Sequence, residues 1–416
     1  EVYEQLSHLG DYGLSAEKPA FDFAKVIARS RAVAKQLNQG VGYLMKKNKI
    51  EVIEGSAKLE KGPNSGKDGA PKVVVALKAG GERTVQAKAV ILATGARAKI
   101  IPAIGLAPDG DRVWTYREAM TAKTMPKSLL VIGSGAIGIE FASFYRALGA
   151  EVTVIEALGR ILPVEDEEVS AAAQKAFEKR GLKFRVGAKV TKLSKSKSGV
   201  EINLESGGKA ENLSADAAIV AVGIDGNVEG LGLETLGVKI ERGHVVIDSR
   251  LQTGVPGLYA IGDVAGAPWL AHKAMHEGVH CADLIAGKAM ADIPAPIPGC
   301  TYAQPQIASV GLTEAQAKAD GREIKVGRFP FRANGKAIAS GETEGFVKTV
   351  FDARTGALLG AHMIGGEVTE MIQGFAVAMT LETTEEELFA AVFPHPTMSE
   401  TMHESALDAF GRVLDL

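Results

Sequence analysis

Two clusters in this chain have residue types and spacings that can do chemistry. The first is Gly133-Ser134-Gly135-Ala136-Ile137-Gly138, a G-x-G-x-x-G run with Glu156 roughly 20 residues further on. Glycines in such a run serve a tight turn, the close approach of backbone to a pyrophosphate, and the contact of a helix with a sheet. An acid at that distance accepts the hydroxyls of an adenosine ribose and repels a 2′-phosphate. The pattern therefore favours NAD(H) over NADP(H), with Arg160 as the nearby cation that opposes the preference. The second cluster is Phe393-Pro-His-Pro-Thr-Met-Ser-Glu400. Pro394 and Pro396 limit the backbone on either side of His395, and a helix expected to begin at Thr397 carries Glu400. A histidine held stiffly and oriented by a carboxylate has the parts of a general acid/base. A helix-capping loop with a structural ion pair accounts for the same residues, and His403 and Glu404 stand close by as decoys.

The elements that must position the first cluster are legible around it. Ser128–Ile132 is an apolar run that reads as a buried strand, and the glycines stand where it ends. Phe141, Phe144, Tyr145 and Leu148 recur at helical spacing, Gly149 offers a stop, and Val152–Ile155 reads as a second buried strand tipped by Glu156. The helix N-terminus, with its free N–H groups and its dipole, suits a diphosphate. A lone G-x-G-x-x-G among 48 glycines is weak, whereas strand, glycines, helix, strand and acid in that order are specific.

Before this unit the pattern predicts a long amphipathic helix over 21–48, with Lys25, Arg29, Arg31 and Lys35 on a solvated face. Strands are expected over 51–60, 72–77 and 82–91, with a turn-rich tract at 62–70. The last strand leads into Ala93-Thr94-Gly95, which can place backbone donors beside a cofactor. After Glu156 come a helix over 168–180, a strand at 183–186, a meander over 188–213 and a strand at 217–222 that ends at Gly223. His244 reads as a partly exposed structural histidine on a strand. Gly257–Val264 ends a further buried strand in Gly262-Asp263, and a helix over 271–286 follows. Asp263 suits sugar hydroxyls or a helix cap. His272, His276 and His280 stand at i, i+4 and i+8; no acid clearly converges on them and three turns is wide for one ion, so a helix face is preferred to a metal site. From 295 the pattern changes to antiparallel strands at 307–310, 324–330, 346–352 and 358–363, with helices at 367–378 and 385–390.

An apolar share of 46% and a charged share of 23% suit a soluble globular protein of two or three domains. The net charge of −3 and the lack of a dense basic tract give no nucleic-acid footprint. No apolar run is long enough for a membrane span, and no signal peptide is seen. Cys281 and Cys300 are the only cysteines, and two reduced residues are preferred to a disulfide in a cytoplasmic-type enzyme.

The order and spacing of these parts resemble the dihydrolipoamide dehydrogenase family, within the flavin-dependent pyridine nucleotide-disulfide oxidoreductases. The resemblance covers essentially the whole chain. It rests on Ala93-Thr94-Gly95, Gly133–Gly138 with Glu156, Ala260-Ile-Gly-Asp263, Ala271-His272-Lys273-Ala274 and His395-Pro-Thr-Met-Ser-Glu400. It implies an α/β architecture: two Rossmann-like nucleotide-binding domains plus an α+β C-terminal interface domain. The FAD domain is placed at 1–125 and 248–294, the NAD domain at 126–247 and the interface domain at 295–416. FAD and NAD are the implied cofactors. Thr94, Gly95, Gly262, Asp263, Ala271 and His272 would line FAD. Gly133, Gly135, Gly138, Glu140, Glu156 and Gly223 would serve NAD, with Glu140 near the nicotinamide. His395 would take a thiol proton in the active site of the other subunit of a homodimer, and Glu400 would orient it.

The resemblance also implies a dihydrolipoyl substrate. It would be carried by the acyltransferase of a 2-oxo acid dehydrogenase complex or by a lipoyl carrier protein, in the cytoplasm or a mitochondrial matrix. The family's earlier G-x-G-x-x-G and its redox-active C-x4-C are not found here, so the FAD domain is incomplete as well as split. By comparison with the family the chain lacks roughly fifty N-terminal residues, the span of a first βαβ unit and a redox helix. A chain without them is expected to have no lipoamide-oxidising activity of its own. Soluble pyridine nucleotide transhydrogenases and other flavin disulfide reductases share much of the pattern, and a non-catalytic dimerisation or docking fragment is the reading of another class. One departure is local: Ile224-Asp225-Gly226-Asn227 replaces the family's Arg-x-Pro-Asn type of continuation.

Overall fold

Short apolar runs ending in glycine organise this protein, because a strand buried on both faces needs only β-branched and aliphatic side chains until it must turn. The computed structural model describes residues 2–6, 8–62, 69–288 and 296–414. Most of the tract at 62–70, the expected boundary at 294/295 and both chain ends lie outside the described residues. Elements that position the site begin with α1 (Phe23–Lys47), β1 (Val90–Leu92), β2 (Ser128–Ile132) and α2 (Ala136–Ala147). They continue with β3 (Glu151–Ile155), α3 (Glu167–Lys179), β4 (Leu258–Ala260) and α4 (Ala271–Ile285). The last group is β5 (Gln306–Gly311), β6 (Ile324–Pro330), β7 (Phe346–Asp352), β8 (Leu358–Gly365), α5 (Val368–Thr380) and α6 (Glu400–Ala409). Among the described residues no helix is long and apolar enough to cross a membrane.

The chain forms two compact units. One comprises Glu1–Ala24, Ile100–Gly223 and Ala295–Leu416; the other comprises Lys25–Lys99 and Ile224–Pro294. The chain passes from one unit to the other at 24/25, 99/100 and 223/224. Strand pairing explains the last two. Val113–Trp114 pairs in parallel with Ala217–Val220, which draws the residues before 126 into the first unit. Ile224–Gly226 pairs antiparallel with Ala96–Ala98, which draws the residues after 223 into the second.

In the first unit a five-stranded parallel sheet runs Val113–Trp114, Ala217–Val220, β2, β3, Lys183–Arg185. Its core includes Leu130, Ile132, Ile155, Val200, Ile202 and Ala218. The meander is regular, with Ala188–Lys195, Val200–Ser206 and Lys209–Ala215 paired antiparallel. The same unit carries a five-stranded antiparallel sheet in the order Gly299–Thr301, β5, β8, β7, β6, with α5 and α6 over a core that includes Phe351, Met363, Phe375 and Met402. In the second unit β1 and β4 pair in parallel, beside a three-stranded sheet of Gly55–Glu60, Lys72–Leu77 and Glu82–Val85. The expected strand over 82–91 is thus broken after Val85, and 51–54 is not a strand. Helix α1 forms as expected, yet Phe23 is its one buried residue, and Val33, Leu37 and Val41 are exposed alongside its charges.

A polar layer crosses the antiparallel sheet, buried at Lys348 and His362. Arg328 on β6, Lys348 on β7, His362 on β8 and Ser309 on β5 stand directly opposite one another from strand to strand. Lys348 and Asp166 are nearly sealed from solvent and meet at 2.9 Å, and Lys348 also reaches Glu168 at 2.9 Å and Glu314 at 2.8 Å. Asp166 caps α3 through the Glu168 N–H at the same time, so one carboxylate fixes both the helix start and the lysine. Burial opposes the Lys348 charge, but Glu314, Glu168 and Asp166 outweigh it and raise its pKa. The Arg328 guanidinium, helped by Lys348, pulls the Glu168 carboxyl down to about 2.

Removing one partner of a buried pair leaves the other charge uncompensated, so Lys348→Ala is expected to cost about 3–5 kcal/mol in chemical denaturation. Glu168 has a folded pKa below its ordinary value of 4.5. Its contribution is present above that value and lost as pH falls toward 2, and Glu168→Gln should flatten acid unfolding in that window. A wild-type stability curve already flat there would reject the assignment.

Candidate functional sites

The coenzyme cluster assembles as its spacing requires. Gly133 ends β2 with φ +103°, a left-handed backbone that glycine adopts without strain, and a Cβ there would lie 2.2 Å from the Ala221 carbonyl oxygen. A Cβ on Gly138 would lie 2.0 Å from the Gly133 carbonyl oxygen. The first contact seats the end of β2 against the residue that follows Ala217–Val220, and the second presses α2 onto the end of β2. Gly135 differs, because a Cβ there would meet nothing within 4 Å. It is the N-cap of α2, has no side-chain cap, and the helical ladder starts only with Ile139 N–H donating to Gly135 C=O. The N–H groups of the first turn thus precede the ladder, and the space beside Gly135 is open, as a pyrophosphate needs. The fit to a dinucleotide rests on this bare cradle.

Glu156 stands at the tip of β3, 8% exposed. Its Oε2 accepts from the Ser134 N–H and hydroxyl at 2.9 and 2.7 Å, and its Oε1 accepts from the Leu158 N–H at 2.8 Å. Sequence reasoning placed the acid and missed Ser134, whose only signal was to be the polar residue inside the glycine run. Arg160 is held by Glu167 at 2.8 Å and by the Pro163 carbonyl at 3.0 Å. Glu140 lies on α2 and accepts the Tyr302 N–H at 2.9 Å; burial pushes its carboxyl up, and that hydrogen bond partly offsets the rise. Gly223 follows the neighbouring strand with φ +113°.

The second unit gathers the other nucleotide candidates. Leu92 and Ala260 are direct partners across the parallel pair β1 and β4, and Ile261 N–H donates to Leu92 C=O at 3.0 Å. Thr94-Gly95 and Gly262-Asp263 therefore emerge side by side beyond the carboxyl ends of two parallel strands, where α/β folds bind ligands. Ala271 and His272 form the exposed first turn of α4. Asp263 is not the cap of that helix: it lies in the 3₁₀ turn Gly262–Ala265, and the N-cap is Leu270. Glu277 and Lys273, unforeseen, clamp the turn. Glu277 accepts the Gly262 N–H at 2.7 Å, and Lys273 donates to the Gly266 carbonyl and meets Glu277, both at 3.0 Å.

The departing segment at 224–227 has a role in the same unit. Asn227 donates to the Thr94 carbonyl at 2.8 Å, the Thr94 hydroxyl donates to the Asn227 carbonyl at 2.9 Å, and Arg97 donates to the Gly226 carbonyl at 3.0 Å. His244 is structural as expected, stacked on Trp269 and accepting its indole N–H at 3.1 Å. Among the described residues no group of three or more His, Cys, Asp and Glu could hold a metal. Cys281 and Cys300 are free thiols, and burial pushes both upward, away from the reactive thiolate.

His395 and Glu400 meet as read. The His395 ring Nδ1 lies 2.8 Å from Glu400 Oε1, and Glu400 Oε2 accepts the Thr397 N–H at 2.8 Å. Because the carboxylate can only accept, the neutral ring places its proton on Nδ1 and its lone pair on Nε2. Burial pushes the Glu400 carboxyl up, but the Thr397 N–H and the imidazole outweigh it and hold it below its ordinary value. Thr397 is not a helix residue: α6 starts at Glu400 with Ser399 as N-cap. Thr397 instead locks the loop, donating to the Pro394 carbonyl at 2.7 Å, while Asn334 donates to the Thr397 carbonyl at 3.1 Å. His403 packs its ring against Phe393 and belongs to the helix packing.

A glycine-lined helix start, a second pair of strand-end turns and an oriented histidine suit a nucleotide-dependent oxidoreductase. Residues 5–278 match the pyridine nucleotide-disulphide oxidoreductase family, and residues 297–406 match that family's dimerisation domain. The chain belongs to this family, whose members use FAD and NAD(H). A dihydrolipoyl dehydrogenase of Rhizobium etli is 56% identical over 425 residues, spanning 100% of this chain and 88% of that protein. One of Zymomonas mobilis is 52% identical, spanning 100% of this chain and 87% of that protein. Among solved structures, LpdA of Mycobacterium tuberculosis superposes with a TM-score of 0.89 at 26% identity, covering 97% of this chain and 86% of that one. The flavoprotein disulfide reductase RclA of Escherichia coli does so with 0.82 at 25% identity, covering 98% and 89%.

The glycines give a sharp test. Gly138→Ala should disrupt folding of the first unit, because its Cβ meets backbone. Gly135→Ala should leave thermal stability nearly unchanged and abolish NAD+ binding measured by calorimetry. Undiminished binding by a folded Gly135→Ala protein would remove the pyrophosphate from this cradle.

Proposed function

We propose that this chain serves an NAD-dependent dihydrolipoyl dehydrogenase, which oxidises protein-bound dihydrolipoyl groups to lipoyl with NAD+ as the final acceptor. The observation that carries the reading is the 2.8 Å contact of His395 Nδ1 with Glu400, which leaves Nε2 basic on an exposed imidazole. The chain-long likeness to proteins named dihydrolipoyl dehydrogenase supports it. When bound, FAD supplies two-electron redox chemistry and NAD+ accepts a hydride. Thr94, Gly95, Gly262, Asp263, Ala271 and His272 would hold the first, and Gly133, Gly135, Gly138, Glu140, Glu156 and Gly223 the second.

The histidine's task follows from its geometry. A dithiol of ordinary pKa, about 8.5, is mostly protonated at neutral pH and attacks a disulfide poorly. His395 Nε2 takes the proton as the S–H bond breaks, and the imidazolium formed is stabilised through Nδ1–H by the Glu400 carboxylate. The family's redox disulfide has no counterpart among Cys281 and Cys300, so these 416 residues supply nucleotide sites, base and dimer surface. A homodimer is supported by the dimerisation-domain match and by exposed Val377, Leu381 and Val392. Its substrate would be the lipoyl arm of an acyltransferase of a 2-oxo acid dehydrogenase complex or of a lipoyl carrier protein.

In the assembled, FAD-loaded enzyme, His395→Gln should lower dihydrolipoamide-dependent NAD+ reduction by about 10²–10⁴ while FAD stays bound. Glu400→Gln should act in the same direction but more mildly, since it removes orientation and charge and leaves the base. A stable, flavin-loaded His395→Gln dimer with near-normal turnover would exclude the role.

A further inference from the structure

Ser134 is a buried polar group to which the coenzyme reading gives no task. It is fully buried between Gly133 and Gly135, and its carbonyl accepts the Leu162 N–H at 3.0 Å. Its own N–H and hydroxyl both end on Glu156 Oε2, at 2.9 and 2.7 Å, while Leu158 N–H alone reaches Oε1, at 2.8 Å. An ionised carboxylate offers about four lone-pair sites, two on each oxygen. Oε2 is therefore filled by Ser134, and Oε1 keeps one site.

We propose that Ser134 is a positioning residue for coenzyme choice: it occupies Oε2 of Glu156 so that Oε1 is presented to one ribose hydroxyl of NAD+. The inference rests on the NAD+ reading of Glu156 and deepens it. Hydrogen bonds to an ionised acceptor are the strong ones, so two of them on one oxygen fix the plane of the carboxylate. Without the hydroxyl, a nearly buried Oε2 is one donor short, and the group turns to recover it. Arg160 does not share the task, because Glu167 and the carbonyls of Pro163 and Glu165 already hold its guanidinium. Discrimination against a 2′-phosphate thus falls to the carboxylate, and the serine sets which oxygen meets the ribose.

The test is calorimetric binding of NAD+ and of NADP+ to the full chain and to Ser134→Ala, Ser134→Cys, Glu156→Gln and Ser134→Ala/Glu156→Gln. Ser134→Ala should bind NAD+ about tenfold more weakly, the worth of one hydrogen bond to a charged group, with NADP+ binding unchanged. In the Glu156→Gln background the same substitution should cost nothing further, because the serine acts through the acid. In the assembled enzyme the KM for NAD+ should rise at constant kcat. An equal loss in both backgrounds would show a packing role and overturn the proposal, as would undiminished NAD+ binding by Ser134→Ala. Should that variant fail to fold by circular dichroism, Ser134→Cys keeps the size with a weak donor and must show the weakening instead. Failure of the unsubstituted chain to bind NAD+ would overturn the coenzyme reading together with this inference; binding that is indifferent to Ser134 overturns this inference alone.

Discussion

The coenzyme cradle depends on a close approach of backbone to backbone. Gly133 and Gly138 sit where any Cβ would strike a carbonyl oxygen, at 2.2 and 2.0 Å. That contact lets α2 start immediately above the end of β2, and only then do its first N–H groups gather beside Gly135. The pairing of β2 with β3 sets the acid at the tip of β3, and the helix start and strand end are consequences of one packing constraint. It is enforced by the absence of side chains rather than by any attraction.

A second constraint joins distant stretches of the same unit. Asp166 begins α3 and binds Lys348 from the antiparallel sheet, while Glu168 and Glu314 complete the lysine's shell. Burying an ammonium is unfavourable unless its donors are satisfied, so the layer holds only in the one arrangement that satisfies them. The loop after β3, which packs Leu162 against Ser134, leads directly into this anchored helix start. The carboxylate expected at the ribose is thus held in place by neighbours that run into a charge layer at the sheet.

The histidine loop uses a different economy of parts. Prolines limit its backbone, the Thr397 hydroxyl closes it on the Pro394 carbonyl, and Asn334 ties it to the body of the unit. Glu400 sits at the first position of α6 and uses both oxygens, one on the imidazole and one on the Thr397 N–H. The imidazole is therefore oriented by the same carboxylate that closes the turn before the helix. No side chain caps α6, whose N-cap is Ser399, so the Glu400 carboxylate serves the loop and the imidazole rather than the helix start.

What could be determined from the sequence was whatever depends on neighbours along the chain. Apolar periodicity placed β2, α2 and β3, and the spacing of glycines and acid placed the cradle; proline-bracketed His395 and its helix-borne acid were paired correctly. These are local signals, because strand, turn and helix register repeat within a few residues. What only the tertiary structure decided involves partners far apart in the chain. Ser134 with Glu156, Asn227 with Thr94, Glu277 with Gly262 and Lys348 with Asp166 leave no periodic trace, since a hydrogen bond across elements requires only complementary groups at one point in space. The cuts at 99/100 and 223/224 were hidden for the same reason: pairing of Val113–Trp114 and of Ile224–Gly226 with strands remote in sequence, not composition, assigns those segments to their units.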